Sequence, residues 1–271
     1  MEEKKEYYIG IDEAGRGPVI GPMIIAAVLT KEKIIKELKK IGVKDSKKIT
    51  PKKRELLKKI IEEKTKYNIK VEFKPKEIDE ALNSEKMNLN KLEAKGTATL
   101  INKIIEYLIK QKKQETIKKI KRITIDLPSN NEQKYLEEIK EFLKKETKKI
   151  LEENKIKIHL EHKADEKYIE VSAASIIAKV ERDKKIEEIK KNIKKDIGSG
   201  YPSDPKTKKF LEKHSKEEKK YIRKTWSSYT KIYGETKKIT NKTKNNIPEI
   251  KKIKKSKEKN IQKDKNLKKY F

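Results

Sequence analysis

The stretch YYIGIDEAGRGPVIGP, residues 7–22, constrains this chain more than any other. An apolar segment alternates toward a strand over residues 7–12, with Ile9 and Ile11 on one face. It ends on two adjacent carboxylates, Asp12 and Glu13, and Gly15-Arg16-Gly17 follows at once. Glycines there let the backbone approach a ligand closely. Residues 23–29 (MIIAAVL) are continuously apolar and read as a buried strand.

The interleaving continues along the chain. Residues 31–40 read as a short helix. Thr50-Pro51 opens another, with Thr50 as N-cap, Pro51 at the first helical position, and Leu56, Leu57, Ile60 and Ile61 as its buried stripe. Residues 68–73 read as a strand. Residues 91–110 read as a longer helix with Leu100, Ile101, Ile104, Ile105 and Leu108 on one side. A strand over 122–127 ends near Asp126, a charged helix follows, and a strand over 156–165 ends on Asp165. Residues 171–193 form a strong helix whose core face carries Ile177, Ile186, Ile189 and Ile193. After a Gly- and Pro-rich loop at 198–205, a last helical region ends near Trp226. Strands and helices mix throughout, so the class is α/β with a mixed sheet.

Charge narrows the partner. The 271 residues hold 74 Lys plus Arg against 44 Asp plus Glu, a formal charge of +30. Such an excess points to a polyanion, most often nucleic acid. A Lys/Glu-rich surface is the alternative, but it would leave the charges better balanced. Residues 235–271 contain 14 lysines and 4 acids with few apolar residues, and read as a disordered basic tail after a domain spanning 1–234. Cysteine is absent, which excludes disulfides and thiolate chemistry. No apolar stretch approaches the roughly 20 residues of a membrane span, and MEEKKEYY lacks a secretory apolar run. A soluble, cytoplasmic protein is expected.

Three strand ends thus deliver acids: Asp12-Glu13, Asp126 and Asp165. Strand ends in α/β sheets are where sites form. Four converging carboxylates repel one another, and divalent cations relieve that repulsion. Oxygen-only ligands suit Mg²⁺ or Mn²⁺, and two such ions about 4 Å apart can drive phosphodiester hydrolysis. Taken singly, Asp126 or Asp165 is equally readable as a cap or a surface acid. Ser172, Ser175, Lys179 and Arg182 share one helix face, with the serines in the first turn. That face reads as a phosphate stripe, or else as N-capping beside a solvated edge. Tyr201, between Gly200 and Pro202, is placed to stack on a sugar or base, or simply to pack. The histidines, His159, His162 and His214, form no metal-binding spacing.

GIDEAGRGPVIGPMIIAAV, VKDSKKITPKKR, HKADEKYIEVSAASIIAKVERD and GSGYPSDPKT, in that order, resemble ribonuclease HII in its archaeal form, over about residues 7–230. The resemblance implies a ribonuclease H-like mixed sheet flanked by helices, with a C-terminal helical extension. It implies an enzyme that needs Mg²⁺ or Mn²⁺, cleaves the RNA strand of RNA–DNA hybrids, and cuts 5′ to ribonucleotides embedded in duplex DNA. It assigns the metal-binding acids to Asp12, Glu13, Asp126 and Asp165. The ribonucleotide-recognising loop falls on Gly15, Arg16 and Gly17, and the substrate-sensing tyrosine on Tyr201. Lys47 and Lys48 fall near the substrate backbone, with Ser175 and Lys179 at phosphates. Ribonuclease HIII fits less well, since it usually carries a further N-terminal domain and six residues precede the first strand here. A catalytically dead nucleic-acid-binding protein on this fold, or a nuclease of this fold with another substrate, are the competing readings. The last residues, DKNLKKYF, resemble a sliding-clamp (PCNA) interaction motif, with Leu267, Tyr270 and Phe271 as the docking residues and Asp264 where that motif has glutamine. The alternative is a frayed basic tail. A monomer is expected.

Overall fold

The computed structural model describes residues 6–44 and 49–234. Its sheet contains β1 (Tyr7–Ala14), β2 (Met23–Lys31), β3 (Tyr67–Phe73), β4 (Ile120–Asp126) and β5 (Lys157–Glu161), in the order β3-β2-β1-β4-β5. Around it run α1 (Glu32–Lys40), α2 (Pro51–Lys64), α3 (Pro75–Asn83), α4 (Leu89–Lys110), α5 (Gln114–Lys118), α6 (Glu132–Phe142), α7 (Lys145–Glu153), α8 (Ala164–Lys167), α9 (Ile169–Ile193), α10 (Pro205–Glu212) and α11 (Ser227–Tyr233). The α/β class and the mixed sheet are as the sequence implies. β1 and β2 pair antiparallel, as do β2 and β3, whereas β1, β4 and β5 run parallel.

β2 is continuously apolar because it is covered on both faces. Ile25 and Ala27 join Ile9 and Ile11 of β1 in a core closed by Leu100, Ile101, Ile104 and Ile105 of α4. Ile24, Ala26 and Val28 face the other way, onto Ala173, Ala174 and Ile177 of α9. Helix α9 lies directly on β1. A Cβ on Gly10 would sit 2.2 Å from the Glu170 carbonyl, so only glycine admits that approach. A third cluster, with Val19, Ile20, Ile186, Ile197, Phe210, Ile222 and Tyr229, joins the C-terminal helices to the segment after β1.

Several boundaries differ from the sequence reading. β5 stops at Glu161 because the chain turns at Lys163, a left-handed residue at φ 56°. Asp165 therefore lies on α8, beyond the strand. The charged helix after β4 is two helices, α6 and α7. The C-terminal helical part continues past Trp226 through α11. In α2, Leu57 and Ile61 are buried but Leu56 is 59% exposed. Its expected place is taken by Lys58, whose amine pairs with Glu181 at 2.8 Å and Glu62 at 3.0 Å while its stem packs inward. Thr50 does cap α2, its hydroxyl accepting from the Lys53 amide. The expected tail, 235–271, with Leu267, Tyr270 and Phe271, lies outside the described residues, as do Lys47 and Lys48.

Candidate active site

Strand register brings the acids together. β1 and β4 are parallel neighbours, and Ile11 is paired with Ile125. The next residues on the two strands are Asp12 and Asp126, so their carboxylates meet at the same sheet end. Carboxylate oxygens of Asp12, Glu13 and Asp126 lie within 4.8 Å of one another. Asp165 does not belong to that trio, but it lines the same cleft. Asp126 also accepts a 2.6 Å hydrogen bond from the Ala164 amide, which ties the start of α8 to the end of β4. That bond carries Asp165 to the site although it is not on a strand.

The cleft encloses about 470 Å³. Besides the four acids it is lined by Gly15, Arg16, Gly17, Arg54, Lys179, Arg182, Asp183 and Tyr201. Asp12 is 4% exposed. Burial, then the charges of Glu13 and Asp126, push its carboxyl well above the usual carboxylate range; the Ser175 hydroxyl and Lys179 pull the other way. Glu13 is raised too, by burial first and then by Asp126, against a hydrogen bond from Asp12 and the charge of Arg16. Asp165 is 3% exposed, and its Oδ1 has no hydrogen-bond partner among the described residues. The close trio of Asp12, Glu13 and Asp126, with Asp12 and Glu13 destabilised as anions, and the unsatisfied oxygen of Asp165 beside them fit a hard divalent cation.

The serine stripe is corrected. Ser172 and Ser175 are fully buried, and neither lines the cleft. Ser172 is the fourth residue of α9, its amide already bonded to the Tyr168 carbonyl, and its hydroxyl donates to the Lys44 carbonyl; Ser175 lies on the second turn. Ser175 accepts from Lys179 Nζ at 2.8 Å and hydrogen-bonds Asp12. Both turn toward the protein's own groups because α9 lies against β1 there. Lys179 does reach the cleft, 3.9 Å from Asp165 Oδ2. Arg182 is buried, with its guanidinium 5.1 Å from the Tyr201 ring centre, and donates to the Ser199 carbonyl.

Tyr201 is 40% exposed and faces Gly17, where an added Cβ would lie 3.5 Å from its ring. Its loop is fixed from below. Asp204 accepts from the amides of Ser199 and Lys206, and these bonds hold its carboxyl down at about 2. The Gly200 carbonyl accepts from the amides of Val19 and Ile20, binding the loop to the segment after Gly15–Gly17.

Sequence reasoning missed what holds the glycine loop. Arg16 points its guanidinium to Asn90 Oδ1 at 2.6 Å and forms an ion pair with Glu93, which is 1% exposed on α4. From the other side come Arg223 and Trp226. Nothing local marked them, since an arginine and a tryptophan in a lysine-rich helical segment carry no periodic signal. Arg54 and Asp183, paired at 3.3 Å on the cleft wall, were also missed.

The family model for ribonuclease HII matches residues 9–229. A ribonuclease HII of Methanococcus maripaludis (strain C6) is 46% identical over 230 residues, covering 84% of this chain and 87% of its own. The crystal structure of the ribonuclease H2 from Pyrococcus horikoshii OT3 superposes with a TM-score of 0.67 at 37% identity, over 84% of this chain and 97% of that one. A structure of the PCNA:RNase HII complex from Archaeoglobus fulgidus matches with a TM-score of 0.59 at 33% identity, over 76% of this chain and 85% of that one.

Proposed function

The chain belongs to the ribonuclease HII family, metal-dependent hydrolases that cleave the RNA strand of RNA–DNA hybrids, and we propose that Asp12, Glu13, Asp126 and Asp165 are its catalytic, metal-binding acids. One observation carries the assignment: oxygens of Asp12, Glu13 and Asp126 lie within 4.8 Å of one another at the end of two parallel strands. Divalent cations held there would activate the attacking water and stabilise the leaving oxygen of the phosphodiester. Mg²⁺ and Mn²⁺ both suit a site of oxygens alone.

The chain's own residues do the positioning. Lys179 beside Asp165 offers a cation to a phosphate as it enters the cleft. Gly15, Arg16 and Gly17 line the cleft with Tyr201, whose ring lies against Gly17. Arg16 has its side chain held by Asn90 and Glu93, so the loop reads a ribose through its backbone. The 2′-hydroxyl is the group by which such a loop tells RNA from DNA. Tyr201, 40% exposed on the cleft wall, is placed to stack on a sugar or base of the bound strand. Lys47, Lys48 and the remaining basic surface hold the duplex backbone. Residues 1–234 are the catalytic domain, and 235–271 a basic tail.

The test is a DNA duplex containing one ribonucleotide, incubated with Mg²⁺ or Mn²⁺. The cut should fall 5′ to the ribonucleotide, leaving a 3′-hydroxyl and a 5′-phosphate. Cleavage that ignores the ribonucleotide, or persists in chelator, contradicts the assignment.

A clamp partner is the further part of this reading. The Archaeoglobus relative was solved in complex with PCNA, and Leu267, Tyr270 and Phe271 have the spacing of a clamp-docking end. A lysine-rich tether would let the nuclease search DNA beside a bound clamp. Calorimetry of the host's clamp with full-length protein, against a form lacking residues 264–271, should show binding only for the former. Equal binding by both refutes docking through this end. Among the described residues no helix is long and apolar enough to cross a membrane. The protein is proposed to act in the cytoplasm as a monomer.

A further inference from the structure

Arg223 is fully buried, and its guanidinium hydrogen-bonds to backbone carbonyls. Nε donates to the Gly21 carbonyl at 3.0 Å, Nη1 to that of Arg16 at 3.1 Å, and Nη2 to that of Gly15 at 2.6 Å. Its guanidinium lies 4.7 Å from the Trp226 ring centre, and Trp226 Nε1 donates to the Gly17 carbonyl at 3.1 Å. One arginine–tryptophan pair therefore captures three consecutive carbonyls, those of Gly15, Arg16 and Gly17. The pair is itself anchored. Asp79 of α3 accepts from the amides of Lys224 and Thr225 and from the Thr225 hydroxyl, and the Arg223 amide donates to the Val19 carbonyl.

Within a planar trans peptide the C=O and N–H point in opposite directions. Turning the Gly15 and Arg16 carbonyls toward Arg223 turns the amides of Arg16 and Gly17 away from it. Those two residues line the cleft. Gly15 adopts φ +88°, and a Cβ on it would lie 2.6 Å from the Pro22 carbonyl, so the turn that makes this possible requires glycine.

We propose that Arg223 and Trp226 are positioning residues for ribonucleotide selection: they hold the glycine loop's carbonyls so that its amides face the substrate ribose. The inference rests on the reading of Gly15–Gly17 as the ribose-reading loop. Neither residue touches the acids' trio, so the pair acts on which sugar is accepted and leaves the metal-binding set alone.

The experiment measures kcat/KM on two substrates, a DNA duplex with one ribonucleotide and a continuous RNA–DNA hybrid, and Mn²⁺ affinity by calorimetry. A hybrid offers many registers for an imperfect loop, whereas one ribonucleotide offers a single register. Arg223→Lys keeps the charge but cannot span three carbonyls. It should lose about tenfold on the single-ribonucleotide duplex relative to the hybrid, the scale of one charged hydrogen bond. Mn²⁺ affinity should be unchanged. Trp226→Phe keeps a ring on a half-buried side chain and deletes one donor. It should move the same ratio in the same direction by a few-fold, and it carries the test if Arg223→Lys does not fold. Gly17→Ala separates the two readings, because its Cβ meets only ordinary contact with Tyr201 and would stand in the path of the ribose. If Gly17→Ala shifts the ratio and neither Arg223→Lys nor Trp226→Phe does, the positioning role is wrong. If Gly17→Ala leaves the ratio intact, the loop does not read the ribose and the inference falls with it. A parallel loss on both substrates, tracking a lower melting temperature, would mark the pair as merely structural and overturns it.

Discussion

Replacing Asp12 by Asn should make the metal-free protein more stable and the enzyme inactive. Asn keeps the shape, and its carbonyl oxygen can still accept the 2.7 Å bond that Asp12 Oδ1 receives from the Glu13 amide. What disappears is one charge of a crowded trio. Two unit charges 4.8 Å apart repel by about 3.5 kcal/mol at an effective dielectric of about 20. The lost attraction to Lys179 offsets part of this. A net gain of about 2 kcal/mol corresponds to a melting temperature roughly 4–8 °C higher in chelator. The pH dependence has a definite sign. The folded pKa of Asp12 lies above its unfolded value, so the folded chain holds a proton that the unfolded chain releases. This group's contribution therefore weakens stability as pH rises from the ordinary carboxylate range through the folded pKa. Asp12→Asn should flatten that part of the slope, with the Glu13 part remaining. Mn²⁺ should reverse the ranking, since the wild type gains RT ln(1 + [Mn]/Kd) and the variant gains less. Thermal melts in chelator and in Mn²⁺, with cleavage assays alongside, test all of this. A variant no more stable than wild type in chelator, or one that cleaves normally, would refute the argument.

Asp126→Asn should also abolish cleavage, because it removes one of the trio; near-normal turnover would place the third acid elsewhere. Tyr201→Ala should lose more activity on a single embedded ribonucleotide than on a long hybrid, and equal losses would make Tyr201 a packing residue. Lys194 ends α9 at φ 51° and ψ 37°, where a Cβ is strained. Lys194→Gly should stabilise the protein by about 1 kcal/mol, read as a rise in melting temperature with unchanged activity.

Much of this was legible in the sequence because it was periodic or punctuated. β1 and β2 showed as an alternating and a continuous apolar run, and the acids stood where the first of them ended. The Thr50-Pro51 start of α2 carried its own capping chemistry. Asp165 was found through its motif although its strand ends four residues earlier, since φ at Lys163 is invisible to apolar patterning. The serines misled because helix spacing fixes which residues share a face and says nothing about what that face meets. The Arg223–Trp226 grip was illegible for a different reason. It joins positions some two hundred residues apart through backbone carbonyls, and any sequence supplies carbonyls at residues 15–17.

The most direct test of the central claim is to locate the metal. Crystals of the protein soaked in Mn²⁺ with an uncleavable hybrid should show anomalous density within ligand distance of Asp12 and Asp126, with Glu13 and Asp165 lining the same density. Density confined to other acids, or none at a Mn²⁺ concentration that supports cleavage, would contradict the account.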